Sequence, residues 1–292
     1  MNSKFAFAAA CAALAIAPAA RSAALDILFV ANTDNTAYKT FATSGAFTGS
    51  TWTHVASGTT GATVGGDLDR LAFASNTVSV KSYLESFDLV IVGLNVSSGN
   101  FIDQASGADW AGLDVPILFN AALAARSFTT SDVVANRRVG LTSGDNTLTS
   151  FTFSTANETT RVSNSALSDR LFAGTTAQNN LYSATQTDSI NATATYGTGE
   201  QIATATNGTL TAHTILYWNA GSTDSYGRTL TADRALFSLK ATGLTDLNAD
   251  GQIVLGNIMT ELTAIPEPSA FAALAGLCAL GLAATRRRRV AR

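Results

Sequence analysis

Asp246, Asn248 and Asp250 alternate with Leu247 and Ala249, and Gly251 and Ile253 follow. Oxygen side chains at every second position, a glycine for a sharp turn and an aliphatic residue behind it open a calcium loop of the EF-hand kind. The twelfth position, which should supply a bidentate glutamate, is Asn257, and there is no second copy. The competing reading is a turn leading into a helix, with Asp250 near its N-terminus, where a carboxylate is favoured. His54 and His213 are the only histidines. A triad needs a histidine between a nucleophile and an orienting acid, and no Gly-x-Ser-x-Gly elbow occurs. Two histidines also make a poor zinc set without carboxylate help. Both read as structural or surface residues. Asp67 and Asp69 could work as acid and base only if their pKa values were driven apart; the plainer reading is the start of a helix. Tyr196-Gly197-Thr198-Gly199 lacks the lysine and glycine spacing of a phosphate loop. Trp52, Trp110 and Trp218 could stack on sugars, but scattered tryptophans also suit a core. No cofactor is expected and no catalytic set is complete, which leans against an enzyme without deciding the matter.

A second group gains meaning only from the elements that would carry it. Asn32, Asp34, Asn95, Ser97 and Asn120 each follow an apolar run. Leu25–Ala31, Phe87–Leu94 and Val115–Phe119 read as strands buried on both faces, as in a parallel sheet. The carboxyl ends of such strands form the edge where open α/β sheets bind ligands. The five polar residues would then line a cleft, or else be ordinary solvated loop residues. Between the strands, Thr36–Phe47 predicts a helix with Tyr38 and Phe41 on one face. Thr51–Val55 is a β-branched strand, and Asp67 can cap a helix running to Leu84. Asp109-Trp110 opens a short helix. From Arg137 to Gly208, Thr, Ser and Asn dominate; alternation at Leu148–Phe153 and Ser189–Tyr196 suggests small antiparallel additions, and Leu167–Phe172 a helical turn. His213–Trp218 and Arg234–Leu239 are strands again, and an amphipathic helix through Ile253, Val254, Ile258 and Leu262 closes the domain.

The ends differ from this body. Lys4, an apolar stretch from Phe5 to Ala17, Pro18 and the small residues Ser22-Ala23-Ala24 make residues 1–24 a secretory signal peptide. The other end reads Pro266-Glu267-Pro268, then an uncharged run, then Arg286-Arg287-Arg288-Arg289. Two prolines around one residue stop any helix from crossing them. Residues 270–285 could form a short transmembrane helix, with the basic tail 286–292 held on the cytoplasmic side. Both cysteines, Cys11 and Cys278, belong to these ends, so no disulfide or thiolate chemistry exists in the body. The ends also take seven of the 18 basic residues and one of the 21 acidic ones. That leaves 11 basic and 20 acidic residues, a net charge of −9 on residues 25–264. Such a surface argues against nucleic acid, which needs a basic footprint.

The three-part ending resembles the PEP-CTERM sorting signal of Gram-negative bacteria that make exopolysaccharide. The resemblance rests on Pro266, Glu267, Pro268, the apolar run and Arg286, Arg287, Arg288 and Arg289, about the last tenth of the chain. It implies recognition and cutting by an exosortase after passage through the general secretion machinery. It further implies a transient anchor in the inner membrane, then a place on the cell surface or in the exopolysaccharide matrix. An ordinary C-terminal anchor is the alternative.

The body's rhythm of strand, loop and helix resembles a flavodoxin-like three-layer sandwich, and within it the glutamine-amidotransferase-like group. This implies an α/β fold with a mostly parallel sheet, here carrying Thr/Ser-rich β insertions. Members of that group place a nucleophilic cysteine after a central strand. Asn120-Ala121-Ala122 stands there, so the resemblance implies a fold without that chemistry.

Overall fold

A computed structural model describes residues 24–55, 77–93, 96, 110–127, 139–143, 148–152, 159–178, 180–183, 186–191, 194–207, 210–239 and 243–264. The signal peptide, the Pro-Glu-Pro motif, the apolar C-terminal run and the arginine cluster lie outside these residues, as do Asp67 and Asp69. Among the described residues no helix is long and apolar enough to cross a membrane.

In chain order the elements are β1 (Asp26–Val30), α1 (Thr36–Ala42), β2 (Thr51–Val55), α2 (Thr77–Leu84), β3 (Leu89–Val92), β4 (Ile117–Phe119) and α3 (Ala122–Ala125). Then come β5 (Leu148–Thr152), β6 (Thr159–Arg161), α4 (Ala166–Leu171), β7 (Gln186–Asn191), β8 (Glu200–Asn207), β9 (Leu210–Trp218), β10 (Arg234–Phe237) and α5 (Ala249–Thr263). All ten strands join one mixed sheet. One half is parallel throughout, in the order β2-β1-β3-β4-β10. The other half is antiparallel and hangs on β9. β8 runs along one edge of β9; β10 holds the other edge from Ile215 to Trp218, and β7 takes over at Ala212 and His213. β6 pairs β8, and β5 pairs β7.

Alternation along the strands builds two cores. Ile27, Phe29, Leu89, Ile91, Leu118, Ile215, Tyr217, Ala235 and Phe237 point to one face. There they meet Tyr38 and Ala42 of α1, Leu167 and Leu171 of α4, and Val254, Leu255, Ile258, Met259 and Leu262 of α5. Leu28, Val30, Val90, Val92, Ile117, Phe119, Leu216, Trp218 and Leu236 point to the other face, against Leu84, Trp110, Leu113, Ala124 and Ala125. Period-two strands buried on both sides explain why these runs are apolar without a break.

Local chemistry sets the helix ends. Asn35 caps α1 by accepting from the Tyr38 N–H at 2.9 Å, Ser165 caps α4 from the Ser168 N–H at 3.0 Å, and Asn248 caps α5 from the Gly251 N–H at 2.9 Å. The predicted helix over 36–47 ends at Ala42. Thr43 and Ser44 turn their hydroxyls onto the carbonyls of Lys39 and Phe41, and Gly45 is left-handed (φ 56°). A single 3-10 turn, Gly45–Phe47, follows. The helix expected at Trp110 is instead a turn through Trp110, Ala111 and Gly112. Its carbonyls are spent elsewhere. The buried Arg234 guanidinium donates to the carbonyls of Trp110, Leu113 and Val115, and Thr231 Oγ1 donates to Leu113 at 2.7 Å.

Candidate functional site

The carboxyl edge of the parallel half is where a ligand was anticipated. Asn120 sits there, immediately after β4, yet it exposes no surface. Its Oδ1 accepts from Tyr38 Oη at 2.8 Å and its Nδ2 donates to the Phe237 carbonyl at 2.9 Å. Its backbone N–H donates to Val92 and its carbonyl accepts from Leu239. One residue thus ties α1, β3, β4 and the end of β10 together with its side-chain amide and backbone both engaged. Burial pushes the Tyr38 phenol above its ordinary pKa, so it remains a neutral donor at any physiological pH. Asn120 is a clamp under the edge rather than a wall of an open cleft. Asn95 and Ser97 lie outside the described residues. Asn32 and Asp34 are exposed on the loop between β1 and α1.

The strand-to-helix step after β4 shows no nucleophile elbow. Ala121 has φ −84° and ψ 104°, an ordinary extended conformation, and leads into the four-residue α3. A nucleophile elbow needs a sharp, strained turn that lifts a reactive side chain; Ala121 provides neither the strain nor a reactive group.

Asp34 does make one specific contact. Its Oδ1 accepts from Trp52 Nε1 at 3.1 Å. Trp52 stacks on Phe29 with ring centroids 4.7 Å apart, and Phe29 also meets Tyr38 and His54. His54 Nε2 lies 3.0 Å from the Ala31 carbonyl, which can only accept, so Nε2 is the donor of that bond. Trp110 and Trp218 are fully buried, whereas Trp52 and His54 are only partly so.

The oxygens of the calcium reading go to protein donors where they are described. Asn248 is the α5 cap, and its Nδ2 donates to the Asn180 carbonyl. Asp250 accepts from the Thr176 N–H and Oγ1, both at 2.8 Å, and from the Ala177 N–H at 3.0 Å. These bonds, the Thr176 N–H foremost, hold its carboxyl below the ordinary range. Asp246 lies in a 3-10 turn, Gly243–Asp246. Gly251 is needed for contact: a Cβ there would lie 2.1 Å from the Leu181 carbonyl oxygen. The four residues weighed as a phosphate loop are likewise structural. Gly197 is left-handed (φ 59°) against the Thr223 carbonyl, and a Cβ on Gly199 would meet the Trp218 ring. Among the described residues no group of three or more His, Cys, Asp or Glu could hold a metal ion.

Two polar hubs were not foreseen. Asp224, buried in the β9–β10 connection, accepts from the N–H groups of Tyr226 and Arg228 and from Arg228 Nε at 2.6 Å. Burial raises its carboxyl above the ordinary value, against the pull of Arg228. Asp233 accepts from Tyr217 Oη at 2.8 Å and from the Ala220 N–H at 2.7 Å. The only sequence signal for either was an acid beside a glycine-rich or strand-start segment, which is also the signal of an ordinary turn.

Neither a protein-family model nor a curated protein matches the chain.

Proposed function

We propose that this chain is exported and sorted to the cell surface or the exopolysaccharide matrix through a PEP-CTERM-type signal cut by an exosortase, and that residues 25–264 work there by binding or as structure. One observation carries the proposal: an apolar, signal-peptide-like front and a Pro266-Glu267-Pro268, apolar, Arg286–Arg289 ending enclose a body without cysteine. A domain that crosses a membrane unfolded and needs no disulfide must be held by its own core, and the two cores on either side of the sheet provide one. The deciding measurement is mass spectrometry of the chain recovered from cell envelope and medium. Loss of residues 1–24 and of the segment after the Pro-Glu-Pro motif is the expected result; an uncut chain in the cytosol would sink the proposal.

A second reading makes the body a flavodoxin-like domain of the amidotransferase-like group, acting as a hydrolase or ligand-binding module without the cysteine. It is supported by the parallel order β2-β1-β3-β4-β10, the 2-1-3-4-5 arrangement of flavodoxin-like sheets if β10 counts as the fifth strand. Fold likeness does not bring function with it. Asn120 clamped in the core and an unstrained Ala121 favour the non-catalytic version. Hydrolysis of glycans or peptides by the purified protein, at rates that survive purification to homogeneity, would reverse that preference.

A further inference from the structure

We infer that Trp52, Asp34 and His54 form a shallow platform for the ring of a neutral saccharide, on the open edge of the sheet beside α1. Among the described residues β2 is the last strand of the parallel half, and Trp52 and His54, on its face toward α1, are only partly buried. Trp52 and His54 share that face two residues apart, at a spacing of roughly 7 Å along the strand, about the width of one pyranose. Of the three tryptophans, Trp110 and Trp218 are buried and Trp52 alone keeps exposed surface.

The polar groups decide the ligand class. The Trp52 N–H is already spent on Asp34 Oδ1, and His54 Nε2–H on the Ala31 carbonyl. Among the described residues, Asp34 Oδ2 and His54 Nδ1 have no hydrogen-bond partner; the carboxylate oxygen is an acceptor, as is Nδ1 in the neutral imidazole. An apolar ring face flanked by acceptors suits a ligand that is flat and apolar on one side and rich in hydroxyl donors around its rim. A sugar ring meets both demands. Phe29 behind Trp52 and the Asp34 bond fix the indole in place, so little side-chain freedom is lost on binding. The choice of saccharide rests on the matrix reading above only for where the ligand would be met; the chemistry stands on these three residues.

The test is affinity electrophoresis of the full-length protein in mild detergent, in native gels cast with dextran, hydroxyethyl cellulose, galactomannan or alginate. Retardation by at least one of the three neutral polymers is expected. Trp52→Ala and Asp34→Ala should each weaken it roughly tenfold, the effect of losing about 1.4 kcal/mol, with circular dichroism like the parent's. Asp34 is exposed, so its variant serves even if Trp52→Ala folds poorly. No retardation by any neutral polymer, retardation by alginate alone, or equal retardation of both variants and parent would each overturn the inference. Cell fractionation and terminal mass analysis fail or succeed independently of these gels, so loss of the sorting proposal and loss of the platform are told apart.

Discussion

Asn120 is the residue whose environment is most specific. Its neighbours in the fold are 82 and 117 positions away in the chain, at Tyr38 and Phe237. Replacing it with alanine leaves a buried phenol and a buried carbonyl without partners, which costs about 1–3 kcal/mol for each group so stranded. Asn120→Ala should therefore lower the denaturation midpoint clearly, and Tyr38→Phe in that background should recover part of the loss. A double-mutant cycle read by chemical denaturation checks this; strict additivity would show that the bond has no energetic role. Asp250 gives the pH dependence. Its carboxyl is held below the ordinary range in the folded chain, so the folded state binds fewer protons there than the unfolded one. The stabilisation is complete above the ordinary carboxylate range and fades as pH falls through the folded value. Melting curves from neutral pH into acid should show a decline that Asp250→Asn flattens, at a cost in neutral stability of about 1–3 kcal/mol for the lost loop contacts.

At the scale of elements, close approach is the sensitive point. A Cβ on Gly93 would lie 2.5 Å from the Phe29 ring, at the ends of the central parallel strands β1 and β3. Gly93→Ala should destabilise by about 1–3 kcal/mol through overpacking, measured as a shift in thermal midpoint; no shift would mean the ring moves aside freely. The Arg170–Glu261 pair between α4 and α5 is two-pronged, at 2.9 and 2.5 Å, but Arg170 is half exposed, so its loss should cost no more than about 1 kcal/mol. Legibility in the sequence followed the same physics. Leu89–Val92 was plain because four consecutive aliphatic residues are buried on both faces. β8 was not recognised, since Glu200–Asn207 reads EQIATATN and its inward alanines and threonine carry almost no apolar signal. The candidate edge was legible as a row of polar residues, but the burial of Asn120 was not, because only the folded chain brings Tyr38 and Phe237 to it. The turn into α5, with Asp250 near its start, competed in sequence with a calcium loop, as both use the same oxygen-rich spacing; the Thr176 and Ala177 donors that occupy Asp250 come from more than seventy residues upstream.

Across the whole molecule, stability should be uneven. β1, β3 and β4 have neighbours on both edges and a core on both faces. Among the described residues β5 and β7 form a ladder whose pairing with the rest of the sheet runs only through Ile190 and Asn191. Native-state hydrogen exchange should find the amides of β5 and β7 opening well before those of β1, β3 and β4; equal protection would mean that the ladder is anchored more firmly than its pairing indicates.

β10 lies between β4 and β9, in the middle of the sheet, although it is the last of the ten described strands in chain order. The parallel and antiparallel halves are joined through it. A chain that emerges amino end first can therefore pair β1, β2, β3 and β4, and separately β8 and β9, but it cannot bridge them until Arg234–Phe237 is free. Until then the sheet lacks the strand that lies between β4 and β9. The two halves of the sheet close into one only when nearly all of the body, through Phe237, is available to pair.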